Sequence, residues 1–99
     1  MLPYIISQDI VKYLHKIDGF SVEEIADITS MSIKNVDNTL NGLYTFTQHN
    51  IKSLVTNYNK TIIEILAKAC PESHLPKKLK KNVTLYKHVK KIKKGKKYN

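Results

Sequence analysis

Apolar residues recur every three or four positions near the start of the chain, as they do on one face of an α-helix. The series begins with Ile6, Ile10 and Leu14, and Gly19 stands where a helix commonly ends. This spacing predicts a first helix over residues 7–18.

Two helix start signals follow this first series. Ser21 can accept hydrogen bonds from the amides of a new helix, and Glu24 can reach back to the Ser21 amide, which together make a capping box. These residues predict a second helix over residues 22–30. Ser32 offers another cap directly afterwards and predicts a third helix over residues 33–43.

The third predicted helix has one apolar and one polar face when its residues are placed about 100° apart. Its inward face would hold Ile33, Val36, Leu40 and Leu43. Its outward arc would hold Lys34, Asn35, Asn38, Asn41 and Thr45. Asp37 would lie at the edge of this arc, where its charge would repel phosphate.

A further start signal at Thr47 opens the longest apolar stripe of the chain. The stripe runs towards Pro71, which cannot continue a helix, and it predicts a fourth helix over residues 48–70. The stripe consists of Ile51, Leu54, Val55, Tyr58, Ile62, Ile65, Leu66 and Ala69. Because the alternating stretches are short and polar, the sequence predicts an all-α fold with a four-helix body.

The fourth predicted helix is longer than the core that three short helices can form with it, since about 23 residues rise about 1.5 Å each. We therefore expect its distal part to pair with a second copy of the chain in a homodimer. The residues expected in this dimer interface are Tyr58, Ile62, Ile65 and Ala69.

Charge divides the chain into two parts. The sequence carries 17 lysines, no arginine and 8 acidic residues, which gives a net charge of +9. Residues 1–70 hold six of the lysines and seven of the acids, whereas residues 71–99 hold eleven lysines and one acid. The sequence therefore predicts a helical domain over residues 1–74. It also predicts a Lys-rich extension over residues 75–99 that is either disordered or a marginal basic amphipathic helix.

A polycationic segment attracts a polyanion, which can be nucleic acid, an anionic membrane or an acidic protein. The apolar stripe of the extension is thin, so nucleic acid is favoured over membrane as its partner. The residues expected to contact DNA phosphates are Thr45, Lys77, Lys78, Lys80, Lys81, Lys87, Lys90, Lys91, Lys93, Lys94, Lys96 and Lys97.

Composition restricts the class of protein further. Cys70 is the only cysteine, so an intramolecular disulfide is impossible and a secreted disulfide scaffold is excluded. No apolar run approaches the ~20 residues of a membrane span, and residues 1–10 lack the pattern of a signal peptide. We expect a cytoplasmic, nucleoid-associated protein.

Residues suited to catalysis or metal binding are sparse. The histidines are scattered, and Cys70 and His74 are separated by Pro71 and provide too few ligands for zinc. The sequence has no Walker loop, no Gly-rich nucleotide turn and no Ser-His-Asp pattern. We expect no enzymatic activity, no cofactor, no metal and no small-molecule substrate.

Two short capped helices separated by a tight turn are the arrangement of a helix-turn-helix. Here the sequence reads Gly-x-Ser-x-x-Glu-Ile-Ala and then Ser-x-x-x-Val-x-x-x-Leu-x-x-Leu-Tyr. This pattern, from Gly19 to Tyr44, resembles the helix-turn-helix of LuxR-type regulators and of region four of sigma factors. It departs from them at Thr29, where these families usually have an apolar residue. Apart from Lys34, the second helix also lacks the Lys and Arg residues that they commonly carry.

The resemblance implies a transcriptional regulator that binds double-stranded DNA selectively, with residues 33–43 in the major groove. Asn can pair with the edge of adenine and Lys can reach guanine. The expected base-reading residues are Lys34, Asn35, Asn38 and Asn41. The alternative is a helical adaptor whose body binds a protein partner and whose basic extension contacts RNA or an acidic or membrane surface.

Overall fold

The computed structural model describes the backbone of residues 2–96 and the side chains of residues 2–91, and this part of the chain contains helices and no strand. The all-α class predicted from the sequence is therefore confirmed. The α-helices are α1 (Tyr4–Lys16), α2 (Val22–Thr29), α3 (Ile33–Leu40), α4 (Gln48–Tyr58), α5 (Ile62–Ala69) and α6 (Lys77–Lys96). A short 3-10 turn at Glu72–His74 precedes α6.

Local capping chemistry sets the ends of α2 and α3. The Glu24 amide donates to Ser21 Oγ at 3.1 Å and the Ser21 amide donates to Glu24 Oε1 at 3.0 Å, so the predicted capping box forms. Helix α2 ends because Ser30 adopts a left-handed conformation, with a φ of 57°. Helix α3 begins after the Ser32 cap and is shorter than predicted, since the chain turns away at Gly42, where φ is 75°.

The prediction of a single helix over residues 48–70 is wrong. Helix α4 ends at Tyr58 because Asn59 is left-handed, with a φ of 56°. Asn tolerates this conformation better than most residues. Thr61 then starts α5, as its side chain accepts a hydrogen bond from the Glu64 amide at 3.2 Å. Two short helices with separate axes replace the long one.

The core is arranged around α1. The apolar side of α1 supplies Ile6, Ile10, Val11 and Leu14, which are fully buried. Helices α3 and α5 pack against α1, while α2 packs against α4 and α3. Burial of aliphatic side chains contributes about 1.5–3 kcal/mol each relative to leaving them exposed, so this cluster is the main source of stability.

The Lys-rich extension is part of the fold at its beginning. Val83 on α6 and Leu75 before it are buried in the core, and α6 packs along α5. His74 Nδ1 lies 2.6 Å from Asp9 Oδ2, which joins the preceding turn to α1. The predicted boundary at residue 75 therefore falls inside packed structure. None of the described helices is both long enough and apolar enough to cross a membrane.

Cys70 is buried at the end of α5, and desolvation, with a smaller effect of the Asp9 charge, raises the pKa of its thiol to about 12. Because the thiolate is the nucleophile, iodoacetamide at pH 8 should alkylate the folded protein at least about a hundredfold more slowly than the urea-unfolded protein. Mass spectrometry of timed samples measures both rates. Equal rates would show that Cys70 is open to solvent in the folded chain.

Candidate nucleic-acid interface

Helices α2 and α3 pack against each other across a turn of three residues, Ser30 to Ser32. Side chains of α4 hold the end of α2 at this turn. Asn50 Nδ2 donates to the carbonyl oxygen of Thr29 at 3.1 Å, and Asn57 Nδ2 donates to the carbonyl oxygen of Ile28 at 3.0 Å. The last carbonyls of a helix have no partner within it, so α4 satisfies groups that the turn would leave open.

Asn50 is the centre of this polar contact and is almost fully buried. Its Oδ1 accepts hydrogen bonds from the Thr47 amide at 3.0 Å and from the Tyr44 hydroxyl at 3.1 Å. The backbone amide of Asn50 donates to Thr47 Oγ1 at 3.1 Å, which completes a capping box for α4. Asn50 is not among the residues predicted from the sequence, although its position three residues after the Thr47 cap is a signal for a capping box.

The buried face of α3 differs from the predicted one. Val36 is buried and Leu40 is half-buried as expected, but Ile33 is 49% exposed and Leu43 is 70% exposed. Leu43 lies beyond the end of α3 and so leaves the helical face on which it was predicted. Thr39 is buried instead. Its hydroxyl donates to the Asn35 carbonyl oxygen at 2.7 Å, so this polar group has a hydrogen-bond partner inside the core.

The predicted base-reading residues fall into two groups. Lys34 and Asn41 are exposed, whereas Asn35 and Asn38 are half-buried and bonded to each other, with Asn38 Nδ2 donating to Asn35 Oδ1 at 3.4 Å. Asp37 is also exposed and shares the open face of α3 with Lys34 and Asn41, rather than lying at its edge. This face therefore presents one cation, one anion and one amide.

Thr45 cannot contact phosphate as predicted, because only 3% of it is exposed. Its hydroxyl donates to the carbonyl oxygen of Leu2 at 2.6 Å and lies 2.7 Å from Ser7 Oγ. Ser7 Oγ in turn accepts the Phe46 amide at 3.0 Å. The chain beyond α3 turns inwards here, and these hydrogen bonds hold it against α1.

Helix α6 presents the densest positive charge of the chain. No acidic residue occurs after Glu72 in the sequence. Seven of the predicted phosphate-contacting lysines have described side chains, and all seven are exposed: Lys77, Lys78, Lys80, Lys81, Lys87, Lys90 and Lys91. The side chains of Lys93, Lys94, Lys96 and Lys97 lie outside the described residues. Beyond Tyr86 the described side chains of α6, residues 87–91, are all exposed, so this part leaves the body of the protein.

Helices α3 and α6 are not among the main contact pairs of the body. In the main packing of the body, α3 contacts α1, α1 contacts α5, and α5 contacts α6. The two predicted DNA-binding elements thus stand at opposite ends of a series of four helices.

One residue of the predicted dimer interface, Ile65, is wrong because it is buried in the monomer. Ile65 is 2% exposed and belongs to the core of the single chain, while Ile62 and Ala69 are half-buried against that core. The Tyr58 hydroxyl donates to Asp18, and its ring meets that of Phe20 edge-on, with centroids 6.3 Å apart. These side chains are partnered within the monomer because α5 turns back onto α1 instead of continuing α4. A homodimer itself stays a prediction.

Within the described part of the chain, no three His, Cys, Asp or Glu side chains are placed together as a metal site would require. Comparisons of the chain with models of known protein families, with curated protein sequences and with solved structures find no match. The function has therefore to be inferred from the residues of this chain alone.

Proposed function

We propose that the chain binds double-stranded DNA selectively, as a transcriptional regulator does, with α3 in the major groove and the lysines of α6 on phosphates. The observation that carries the proposal is the pair α2 and α3, two capped helices joined by a three-residue turn whose first residue, Ser30, is left-handed. Two capped helices joined by a turn of this length support a helix-turn-helix, in which the second helix would read base edges.

The open face of α3 carries groups that can distinguish bases. Lys34 can donate to the acceptors of guanine, Asn41 can pair with adenine, and Asp37 can accept from the amino group of cytosine. Each of these side chains is exposed at one side of the helix, so the three together can contact neighbouring base pairs. Asn35 and Asn38 are half-buried, and their mutual hydrogen bond uses one donor and one acceptor, so we assign base reading mainly to the three exposed side chains.

The lysines of α6 supply attraction to phosphate that does not depend on base sequence. Helix α6 has 20 residues and so extends about 30 Å, which covers many phosphates of a duplex. Helix α6 packs on α5 and α3 packs on α1, so phosphate binding and base reading are assigned to different parts of the body. Affinity and selectivity therefore reside in separate elements.

Replacement of Lys34 by alanine tests base reading. A duplex site selected from a random pool by the intact protein should lose about 1–3 kcal/mol of preference over random duplex, since one base contact disappears. Lys52→Ala is the matched control, because Lys52 is an equally exposed lysine on α4. Binding isotherms on selected and random duplexes give both values. Equal weakening on the two duplexes would assign Lys34 to phosphate and remove the basis for base reading by α3.

The adaptor alternative is favoured by one observation on the same face. Ile33 is half exposed beside the oppositely charged Lys34 and Asp37, a mixture that also suits a protein surface. In this alternative α6 contacts RNA or an anionic surface. Gel shifts with duplex DNA and single-stranded RNA, together with flotation on anionic liposomes, distinguish the two functions by which ligand is bound at physiological salt.

A further inference from the structure

Helices α4 and α5 leave an open groove between them. They are joined through Asn59, Lys60 and Thr61 and do not pack along one another, because the left-handed Asn59 separates their axes. The groove has a volume of about 650 Å³. Its apolar lining is Ile51, Val55 and Ile62, each of which is half-buried and keeps part of its surface exposed.

One positive group, Lys52, borders this apolar lining. His49 and Lys52 lie along the α4 side of the groove and are exposed. At the far end Lys60 is paired with Glu64 at 3.6 Å, so the one acid there is already neutralised. The groove thus combines an apolar floor with a rim of net positive charge.

We propose that this groove binds an amphipathic helix with an acidic polar face, supplied by a partner protein. Helix-in-groove recognition requires an apolar floor for side chains spaced three or four residues apart, and here Ile51, Val55 and Ile62 supply it. Acidic side chains flanking that stripe would meet Lys52 and His49. Helix α4 has 11 residues and is about 16 Å long, which matches about three turns of an occupant.

Neither the Lys-rich helix nor the most acidic helix of this chain suits the groove. Helix α6 carries lysines, which Lys52 would repel. Helix α2 has exposed acids at Glu23, Glu24 and Asp27, but its apolar side chains Ile25 and Ala26 are buried in the core of the same chain. In a second copy, α2 would therefore offer a matching charge without a free apolar stripe, so we assign the complementary helix to a different protein. This surface is distinct from the proposed DNA-binding elements.

The test titrates full-length, isotope-labelled protein with a synthetic helical peptide that has Leu at positions i, i+3, i+4 and i+7 and Glu elsewhere. Backbone amide shifts around Ile51, Val55 and Ile62 should move. A peptide of the same composition with its leucines scrambled should not move them. Lys52→Glu should weaken binding about three- to tenfold, whereas Lys80→Glu on α6 makes the same charge change away from the groove and should alter it less than about twofold.

An acidic peptide can also bind α6 through charge alone. The scrambled peptide and the positions of the shifted amides distinguish this binding from binding in the groove. Shifts confined to α6, or equal binding of the scrambled peptide, would overturn the proposal. A Val55→Asp variant that stays folded by circular dichroism should lose the shifts in α4 and α5, and retention of those shifts would equally contradict it. Loss or retention of duplex binding does not enter this test, so its result is independent of the proposed DNA-binding function.

Discussion

Replacing Lys80, Lys87 and Lys91 with glutamine should sharply reduce both the affinity of the protein for duplex DNA and its dependence on salt. All three side chains are exposed on α6, so the substitutions leave the core intact. Each phosphate contact contributes about 0.9 to the slope of log affinity against log salt concentration. The triple variant should therefore lower the magnitude of that slope by about 2.7, as measured by fluorescence anisotropy at several salt concentrations.

The matched control replaces Lys12, Lys16 and Lys52, which are equally exposed but lie on α1 and α4. It removes the same charge from the protein and should change the slope far less. Preference for a selected site over random duplex should survive in both variants, because phosphate contacts position a protein while base contacts select the sequence. Equal slopes for the two triple variants would show that net charge alone drives binding, and would exclude α6 as a specific phosphate-binding element.

Substitution makes a sharper experiment here than truncation. Deleting residues 75–99 would remove Leu75 and Val83 from the core along with the lysines. Loss of buried aliphatic side chains of this size commonly costs more than 1 kcal/mol each, so a truncated protein could fail to bind simply because it is less stable. Exposed lysines can be changed without that effect.

Replacing Asn50 with alanine should lower the free energy of unfolding by about 2–4 kcal/mol, a large effect for one polar side chain. The change removes the partners of the Thr29 carbonyl, the Thr47 amide and the Tyr44 hydroxyl at the same time. Buried polar groups without partners are costly because they lose water and gain nothing in exchange. Urea unfolding followed by circular dichroism should show a midpoint at lower urea concentration. The slope of the free energy of unfolding against urea concentration should be unchanged.

Asn57→Ala provides the comparison for this prediction. Asn57 also donates from α4 to the end of α2, but it is exposed and makes one such bond, to the Ile28 carbonyl oxygen. Its loss should cost about 0.5–1.5 kcal/mol, since water can replace the missing donor. If the two variants are destabilised equally, the buried network around Asn50 does not hold the turn between α2 and α3.

Local chemistry made several elements predictable. The starts of α2, α3 and α4 follow directly from the caps at Ser21, Ser32 and Thr47, because a cap acts through hydrogen bonds within the next three residues. The same capping chemistry also marks the start of α5, which the sequence prediction did not include. Thr61 followed by Glu64 marks the start of α5, but the continuous apolar stripe suggested that the helix ran on.

The exposed face of α3 could not be predicted in the same way. Whether Ile33 or Thr39 is buried depends on how α1 lies against α3, and that is fixed by contacts between residues far apart in the sequence. Thr39 looks polar in the sequence, yet its bond to the Asn35 carbonyl allows it to be buried. The packing of Val83 against the body likewise depends on the surface that α5 offers. The Lys-rich sequence around Val83 gives no indication that this residue is buried.

The central position of α1 has a consequence for the synthesis of the protein. Helix α1 is translated before the helices that pack on it, and part of its cover comes much later, as the pairing of Asp9 with His74 across 65 positions shows. Until α5 and the following turn have emerged from the ribosome, the apolar side of α1 lacks part of its cover. Closure of the core therefore waits for α5, and until then the nascent chain exposes to chaperones the part of α1 that α5 covers.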